Sequence, residues 1–366
     1  MKSYNLDLTT FCKLARQFDA IPVCRTLLSD SLTPVSAFQR IDDGKTACLF
    51  ESVVGGERVG RFSFLASKPI WTLKAWANEI KFTRNGSTEE KTVDNPLEFL
   101  REKLGELKVP QLPGMPPFNG GAVGYAGYDV VRYVERLPNA PDDDRELPDL
   151  CFSFYDQMLV LDHIKKTLTA LVLCRVGDYE TPEAAFESAT ARVDDWVREL
   201  NESQNELQCV DIDPTARATD FEFQSNLSQE QFEDSVRKCV EYIQAGDVFQ
   251  VVISQRLQMD IACDPLEIYR SLRVLNPSPF MFFLRTEECT LVGSSPEIMC
   301  RVEEREVTVR PLAGTRPRGK TDAEDRQLER SCLTIPRNAL NMSCWSTWDV
   351  TMWAELPRSA RSSYLT

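Results

Sequence analysis

With 366 residues, 42% of them hydrophobic and 27% charged, the chain has ample material for a core and a length that suggests two domains. Its 42 Lys and Arg against 56 Asp and Glu leave a net charge of -14, which argues against nucleic acid or an anionic membrane surface as partner. No apolar run reaches the roughly 20 residues of a membrane span, the N-terminus lacks a signal-peptide h-region, and the 12 cysteines form no CxxC pair. Scattered thiols without an export signal are expected as buried small hydrophobes of a cytoplasmic protein. His163 is the single histidine, which disfavours a zinc site.

In chain order, residues 8 to 18 predict a short amphipathic helix, with Leu8, Phe11, Leu14 and Ala15 at helical spacing. Two strand-like runs follow, Ala20 to Leu27 and Pro34 to Ile41. Gly55 and Gly56 suit a tight reversal between Cys48 to Ser52 and a strand in which Phe62 and Phe64 alternate with Arg61 and Ser63. Glu51 and Ser52 form a small polar pair at a strand end, which turn chemistry alone would explain. Residues 70 to 83 alternate as one strand, and 95 to 105 predict a helix. The glycine-dense run from Phe118 to Tyr128 has no following helix in a βαβ context, so it predicts close strand packing rather than a phosphate loop. The acidic run around Asp142 to Asp144 reads as a solvated loop.

Cys151 to Val160 and Thr167 to Cys174 predict paired strands, with His163 exposed in the loop between them. Thr181 and Pro182 supply an N-cap and an N1 proline for a helix with a stripe of Phe186, Ala189, Val193, Trp196 and Val197. Residues 201–224 are polar and acidic, and predict a linker between a domain at 1–200 and a second beginning at 225. Ser228 and Gln231 have capping-box spacing before a helix whose buried stripe is Phe232, Val236, Val240 and Ile243, ended by Gly246. Asp247 to Met259 predicts a long strand. Asp264 and Pro265 start another helix, stopped by Asn276 and Pro277. Phe280 to Leu284 and Cys289 to Val292 predict a hairpin.

The stretch Arg310 to Gly319 (RPLAGTRPRG) predicts a turn between a strand at Glu306 to Arg310 and an acidic helix, Thr321 to Arg330, capped by Thr321 with Glu324. Ala313 and Gly314 allow close backbone approach, Thr315 offers a hydroxyl and an amide, and Arg316 and Arg318 can fork onto carboxylates. The pattern by itself suits an anion site and an unliganded basic surface turn equally.

Six runs taken together carry a family resemblance: LFESVVGGER at 49–58, GGAVGY at 120–125, DVFQVVISQR at 247–256, NPSPFM at 276–281, GSSPE at 293–297 and RPLAGTRPRG at 310–319. Over roughly residues 8 to 330 the chain resembles the chorismate-utilising enzymes, and within them anthranilate synthase component I. The resemblance implies an α+β fold of antiparallel sheets with packed helices. It implies a lyase of tryptophan biosynthesis that converts chorismate and ammonia to anthranilate and pyruvate. Mg2+ would hold a chorismate carboxylate, a glutamine amidotransferase subunit would deliver the ammonia, and tryptophan would inhibit by feedback.

By the same resemblance Gly314 and Thr315 contact chorismate, while Glu51, Ser52, Pro279, Phe280 and Met281 form the tryptophan pocket. Glu51 and Ser52 would take the ammonium, and Phe280 and Met281 would supply an indole slot. Gln250 stands where water-using relatives carry a lysine, and a glutamine cannot act as a base, which fits ammonia as nucleophile. Ala313 stands where aminodeoxychorismate synthases, the alternative assignment, usually carry lysine. Residues 225–330 would be the first part of the chorismate-binding domain.

After Arg330 the resemblance is expected to stop, and with it the predicted helix. Residues 331–366 hold Trp345, Trp348 and Trp353 and show no period of 2 or 3.6. The family runs Glu-Leu-Leu, Ala-Glu-His and Gly-Arg-Asn-Asp, which carry the metal carboxylates and the catalytic histidine, would lie beyond Arg330 and have no match there. No catalytic or metal residue is therefore assigned to this chain, and the 366 residues are expected to be inactive, at most a tryptophan-binding remnant. Plausible codons for Glu-Leu-Leu-Asn-Asp-Pro-Lys, read one base late, give Ser-Cys-Leu-Thr-Ile-Pro-Arg, the run at 331–337. The tail is thus expected to be truncated, out-of-frame sequence, and a gene with no restored frame one base away would refute that.

Overall fold

Ala20–Leu28 (β1) carries five buried positions in succession and then alternates, the pattern of a strand covered on both faces at one end. It pairs antiparallel along its whole length with Thr167–Arg175 (β10). In this computed structural model, which describes residues 2–52, 61–203, 207–212, 222–303, 306–309, 317, 319–333 and 361–364, that pair opens a seven-stranded sheet. Its order continues through Gln157–Asp162 (β9), Phe62–Ser67 (β3), Ala47–Glu51 (β2), Phe280–Arg285 (β13) and Thr290–Ser295 (β14), with every pairing antiparallel.

A five-stranded antiparallel sheet has the order Ser87–Thr92 (β6), Glu79–Arg84 (β5), Trp71–Trp76 (β4), Leu150–Tyr155 (β8) and Gly121–Ala126 (β7). The chain passes from this sheet to the larger one at Asp156, between β8 and β9. Cys48, Ala66, Val160, Leu284 and Tyr155 pack with Val123 and Tyr125 into a shared core. The smaller sheet buries Trp71, Leu73 and Phe154 against Phe99 and Leu100 of the helix Pro96–Gly105 (α3). The architecture is α+β, antiparallel sheets with packed helices, as the sequence predicts.

Local signals place the helices. Asp7 caps Leu8–Leu14 (α1), and its carboxylate accepts the Thr10 amide at 2.7 Å. Thr181 caps Pro182–Glu202 (α4), which buries Ala189, Val193, Trp196 and Val197. The run Pro34–Ile41 is a helix (α2), not the predicted strand. Thr33 and Ser36 form a reciprocal capping box ahead of an N1 proline, and Val35, Phe38 and Ile41 are buried at helical spacing. Residues 70 to 83 are two strands rather than one, because Ala77 takes a left-handed φ of 47° and turns the chain.

Two compact units divide the chain, residues 1–208 with 272–366, and residues 209–271. In the second, Ser228 and Gln231 form the expected capping box on Gln229–Ala245 (α5), and Gly246 closes it at φ 86°. Its apolar stripe is not buried. Val236, Val240 and Ile243 are 40%, 46% and 43% exposed. Spacing decides which side of a helix is apolar; it does not supply the surface that covers it. The predicted long strand at 247–259 reduces to Leu257–Gln258 (β12), paired with Gln224–Ser225 (β11). Among the described residues, 248–256 pair with no other strand, and an alternating pattern needs a partner ladder to become a strand.

Elsewhere a three-stranded sheet has the order Arg301–Glu303 (β15), Glu306–Val309 (β16), Arg361–Tyr364 (β17), the last pairing parallel. The predicted helix after Thr321 is Asp322–Leu333 (α7), with the Glu324 amide 3.3 Å from the Thr321 hydroxyl. The helix predicted to end at Arg330 runs three residues further. Arg330 lies exposed in the last turn of α7, and the helix continues through Ser331 and Cys332 to Leu333. Extending a helix that has already formed costs little, and none of these three residues is a glycine or a proline, so a change in sequence character need not end it.

Candidate functional site

β2 lies between β3 and β13, and the register on each side brings four elements to Glu51. Met281 is its partner on β13. On β3 the register runs Leu49 with Leu65 and Phe50 with Phe64, which puts Glu51 across from Ser63. Ser63 in turn pairs with Leu161 on β9, two residues before His163. Directly opposed residues share a face of a sheet, so Met281, Glu51 and Ser63 form one row. The fourth element is Pro265–Leu275 (α6), which sends Arg273 to the Glu51 carboxylate.

Glu51 is 4% exposed and Ser63 fully buried, so this row places polar groups among the buried positions of the sheet. Arg273 Nη2 donates to Glu51 Oε1 at 3.0 Å, and its Nε lies 2.8 Å from Oε2. That Nε is buried and too poorly aligned to make a hydrogen bond. The Ser52 hydroxyl, next in the chain to Glu51, is also buried and has no partner. A buried donor left unmade costs about 1–3 kcal/mol, so unpaired polar atoms beside a buried ion pair mark a place prepared for a polar ligand.

His163 is half-buried, not the exposed loop residue predicted. Its Nε2 and Ser63 Oγ are 2.7 Å apart, and its amide donates to the Arg61 carbonyl at 2.8 Å. The loop is set by Asp162, which accepts the Ile164 and Lys165 amides at 3.0 Å and an ion pair from Arg61 at 2.8 Å. Burial opposes ionisation of Asp162, but Arg61 and the two amides outweigh it and hold its carboxyl below the ordinary value. Burial pushes the His163 imidazole below its ordinary value, while the Glu51 and Asp162 carboxylates pull it up and Lys166 and Arg273 push it down.

The sign of the pH effect follows. A base whose folded pKa is depressed leaves the unfolded chain binding more protons below the unfolded value near 6.5, so stability falls as pH drops. Thermal melts between pH 7.5 and 5 are expected to show a loss that His163→Gln lacks, because glutamine keeps a partner for Ser63 without titrating. Parallel pH profiles for the two proteins would refute this.

The structure brings together Glu51, Ser52 and Met281 of the sequence-derived set. Phe280 is half-buried and pairs with Ser295; as the neighbour of Met281 on a strand it points to the opposite face. Pro279 is half-buried at the start of that strand. Gln250 is exposed in the unit at 209–271. Ala313, Gly314, Thr315, Arg316 and Arg318 lie outside the described residues, as does the Gly55–Gly56 reversal. Sequence reasoning missed Arg273, Ser63 and the role of His163. A signal existed for Arg273: it follows the buried Leu266 and Tyr269 at helical spacing, so a charge stands on the apolar stripe of α6 and requires a partner there.

Among the described residues no group of three or more His, Cys, Asp or Glu side chains could hold a metal ion. Among the same residues no helix is long and apolar enough to cross a membrane.

Comparison with known proteins gives the class. The family model for chorismate binding enzymes matches residues 46–339, and the chain belongs to that family. The match runs past Arg330, where the motif runs alone placed the end of the resemblance. Within the family, the similarity is to anthranilate synthase component 1. The Acetivibrio thermocellus protein of that name is 39% identical over 323 residues, covering 88% of this chain and 65% of the relative. That of Acinetobacter calcoaceticus is 40% identical over 341 residues, covering 89% and 66%. The crystal structure of anthranilate synthase component I from Streptococcus pneumoniae TIGR4 matches with a TM-score of 0.62 and 26% identity, over 86% of this chain and 65% of that one. The chain thus spans about two thirds of the length of these relatives, 65% for the first of them.

Proposed function

We propose that this chain is an anthranilate synthase component I of tryptophan biosynthesis whose residues 1–208 and 272–295 carry a feedback site for tryptophan. The observation that supports the site is the buried Glu51 carboxylate, with the unpartnered Ser52 hydroxyl beside it and Met281 across the ladder. A carboxylate and a hydroxyl are what an α-ammonium needs, and a thioether suits an aromatic ring edge. In the full-length enzyme, chorismate and ammonia from a glutamine amidotransferase subunit would be converted to anthranilate and pyruvate. Alanine at position 313, where aminodeoxychorismate synthases usually carry lysine, supports this assignment over that alternative.

We further propose that a polypeptide of these 366 residues binds tryptophan without turning chorismate over. Residues 331–366 offer no Glu-Leu-Leu, Ala-Glu-His or Gly-Arg-Asn-Asp run, so the acid, base and metal donors of the family reaction have no counterpart in them. The expected outcome is a calorimetric signal with L-tryptophan and no anthranilate fluorescence from chorismate, Mg2+ and ammonium. Normal turnover would sink the second half of the proposal, and absence of any tryptophan signal the first.

A further inference from the structure

We propose that Arg273 is a specificity-determining residue of the amino-acid site: it occupies Glu51 while the site is empty and turns to the ligand's α-carboxylate when the α-ammonium takes Glu51. The inference rests on the tryptophan site proposed above and deepens it. It selects zwitterions as the ligand class and excludes the corresponding amines and acids.

The Glu51 side chain is 3% exposed and that of Arg273 28%, so the pair sits at the edge of the core with Arg273 the more open partner. Glu51 is fixed by its strand, with Met281 on one flank and the β3 register on the other. Arg273 hangs from a helix on a long, flexible side chain, two residues before the last helical position, Leu275. It is therefore the partner that can move. Only one of its two approaches to Glu51 is a hydrogen bond, through Nη2, while Nε is buried and undonated. The Nε faces Glu51 Oε2 at 2.8 Å without donating to it, so turning the guanidinium to a second carboxylate breaks the one hydrogen bond from Nη2 rather than a bidentate fork.

The empty pair is neutral overall. An amino-acid zwitterion is neutral too, and inserting it between the two leaves four charges in two pairs and nothing uncompensated. An arylalkylamine would bring an ammonium to Glu51 and strand the cation of Arg273. An arylalkanoate would draw Arg273 away from the buried carboxylate and bring it no cation in exchange. Stranding a buried charge is the expensive outcome. His163 bears on the same balance through Ser63, and its burial favours the neutral imidazole over a competing cation.

The test is calorimetry on the whole 366-residue chain at pH 7.5, with L-tryptophan, tryptamine and indole-3-propionate as probes. Wild type is expected to prefer tryptophan over either analogue by about 10- to 100-fold, the worth of one charged hydrogen-bonded pair. In Arg273→Gln the affinity for tryptophan is expected to fall by about the same factor, tryptamine is expected to bind as well as before or better, and the preference is expected to collapse. Arg273→Lys keeps the charge and protects the fold, but cannot fork, and is expected to lie between the two. An Arg273→Gln protein, or an Arg273→Lys protein if the first does not fold, that keeps the full wild-type preference would overturn the inference and leave Arg273 a structural residue. Wild type that binds tryptophan and tryptamine equally would overturn it without any variant, while leaving an amino-acid site in place. Wild type that binds none of the three would overturn the tryptophan site itself.

Discussion

Gly124→Ala is expected to destabilise the larger unit by about 3 kcal/mol or more, a fall in Tm of about 10 °C. A Cβ built at Gly124 would stand 2.0 Å from the Cys151 carbonyl oxygen and 2.7 Å from the Phe152 Cα. Both are backbone atoms of the neighbouring strand β8, with which Gly124 is in register at Phe152, so no side chain can swing aside. Relief requires β7 to move away from β8, which would open the core that Val123 and Tyr125 share with the seven-stranded sheet. Gly105, at the end of α3 with nothing within 4 Å of its Cβ position, is the control. Alanine there is expected to be neutral or to stabilise by up to about 1 kcal/mol. Melting curves of the two variants decide it, and a Gly124→Ala protein that melts with the wild type would refute the close approach.

Arg285→Met is expected to cost about 3 kcal/mol and to loosen the hairpin of β13 and β14 before the rest of the unit. Arg285 Nη1 lies 2.7 and 2.8 Å from the two Asp42 carboxylate oxygens, with 15% and 10% of the two side chains exposed. Asp42 follows the last turn of α2, and its Oδ1 also accepts the Gly44 amide at 3.0 Å. Methionine approximates the volume of the arginine stem and leaves the carboxylate nearly buried without its cation. The double variant Asp42→Asn with Arg285→Met removes both charges and is expected to recover more than half of the loss. Hydrogen exchange at residues 281–285 together with melts would check it. Equal exchange in the single variant and the wild type would count against the ion pair as the tie between this hairpin and α2.

These two contacts also show what distance along the chain conceals. Asp42 and Arg285 are separated by 243 positions, Glu51 and Arg273 by 222. Each pair joins the first fifty or so residues to the stretch after 270, across a boundary where the chain leaves for the unit at 209–271 and returns. The strand β13 pairs with β2 rather than with any strand near it in sequence other than its hairpin partner β14. The proposed tryptophan site depends on that return, which sets Met281 and Arg273 against Glu51.

Sequence by itself determined the elements whose causes are local. Capping residues fixed the starts of the helices at Pro182, Gln229 and Asp322, and apolar runs marked β1, β10 and the β13–β14 hairpin, whereas the predicted single strand Cys151 to Val160 divides at Asp156 into β8 and β9 of different sheets. The helix at 34–41 had a local cause as well, the capping box of Thr33 and Ser36 with Pro34 at N1, which the strand-like reading of that run overlooked. The family was legible too, because its motifs are contiguous runs. Tertiary structure alone decided the rest. It left 248–256 without a ladder among the described residues and the stripe of Val236, Val240 and Ile243 open to solvent. It set Arg273 on Glu51 and His163 on Ser63. The reason is that caps, turns and periods act within a few residues, whereas strand partners, burial and ion pairs depend on which distant surfaces the chain brings back together.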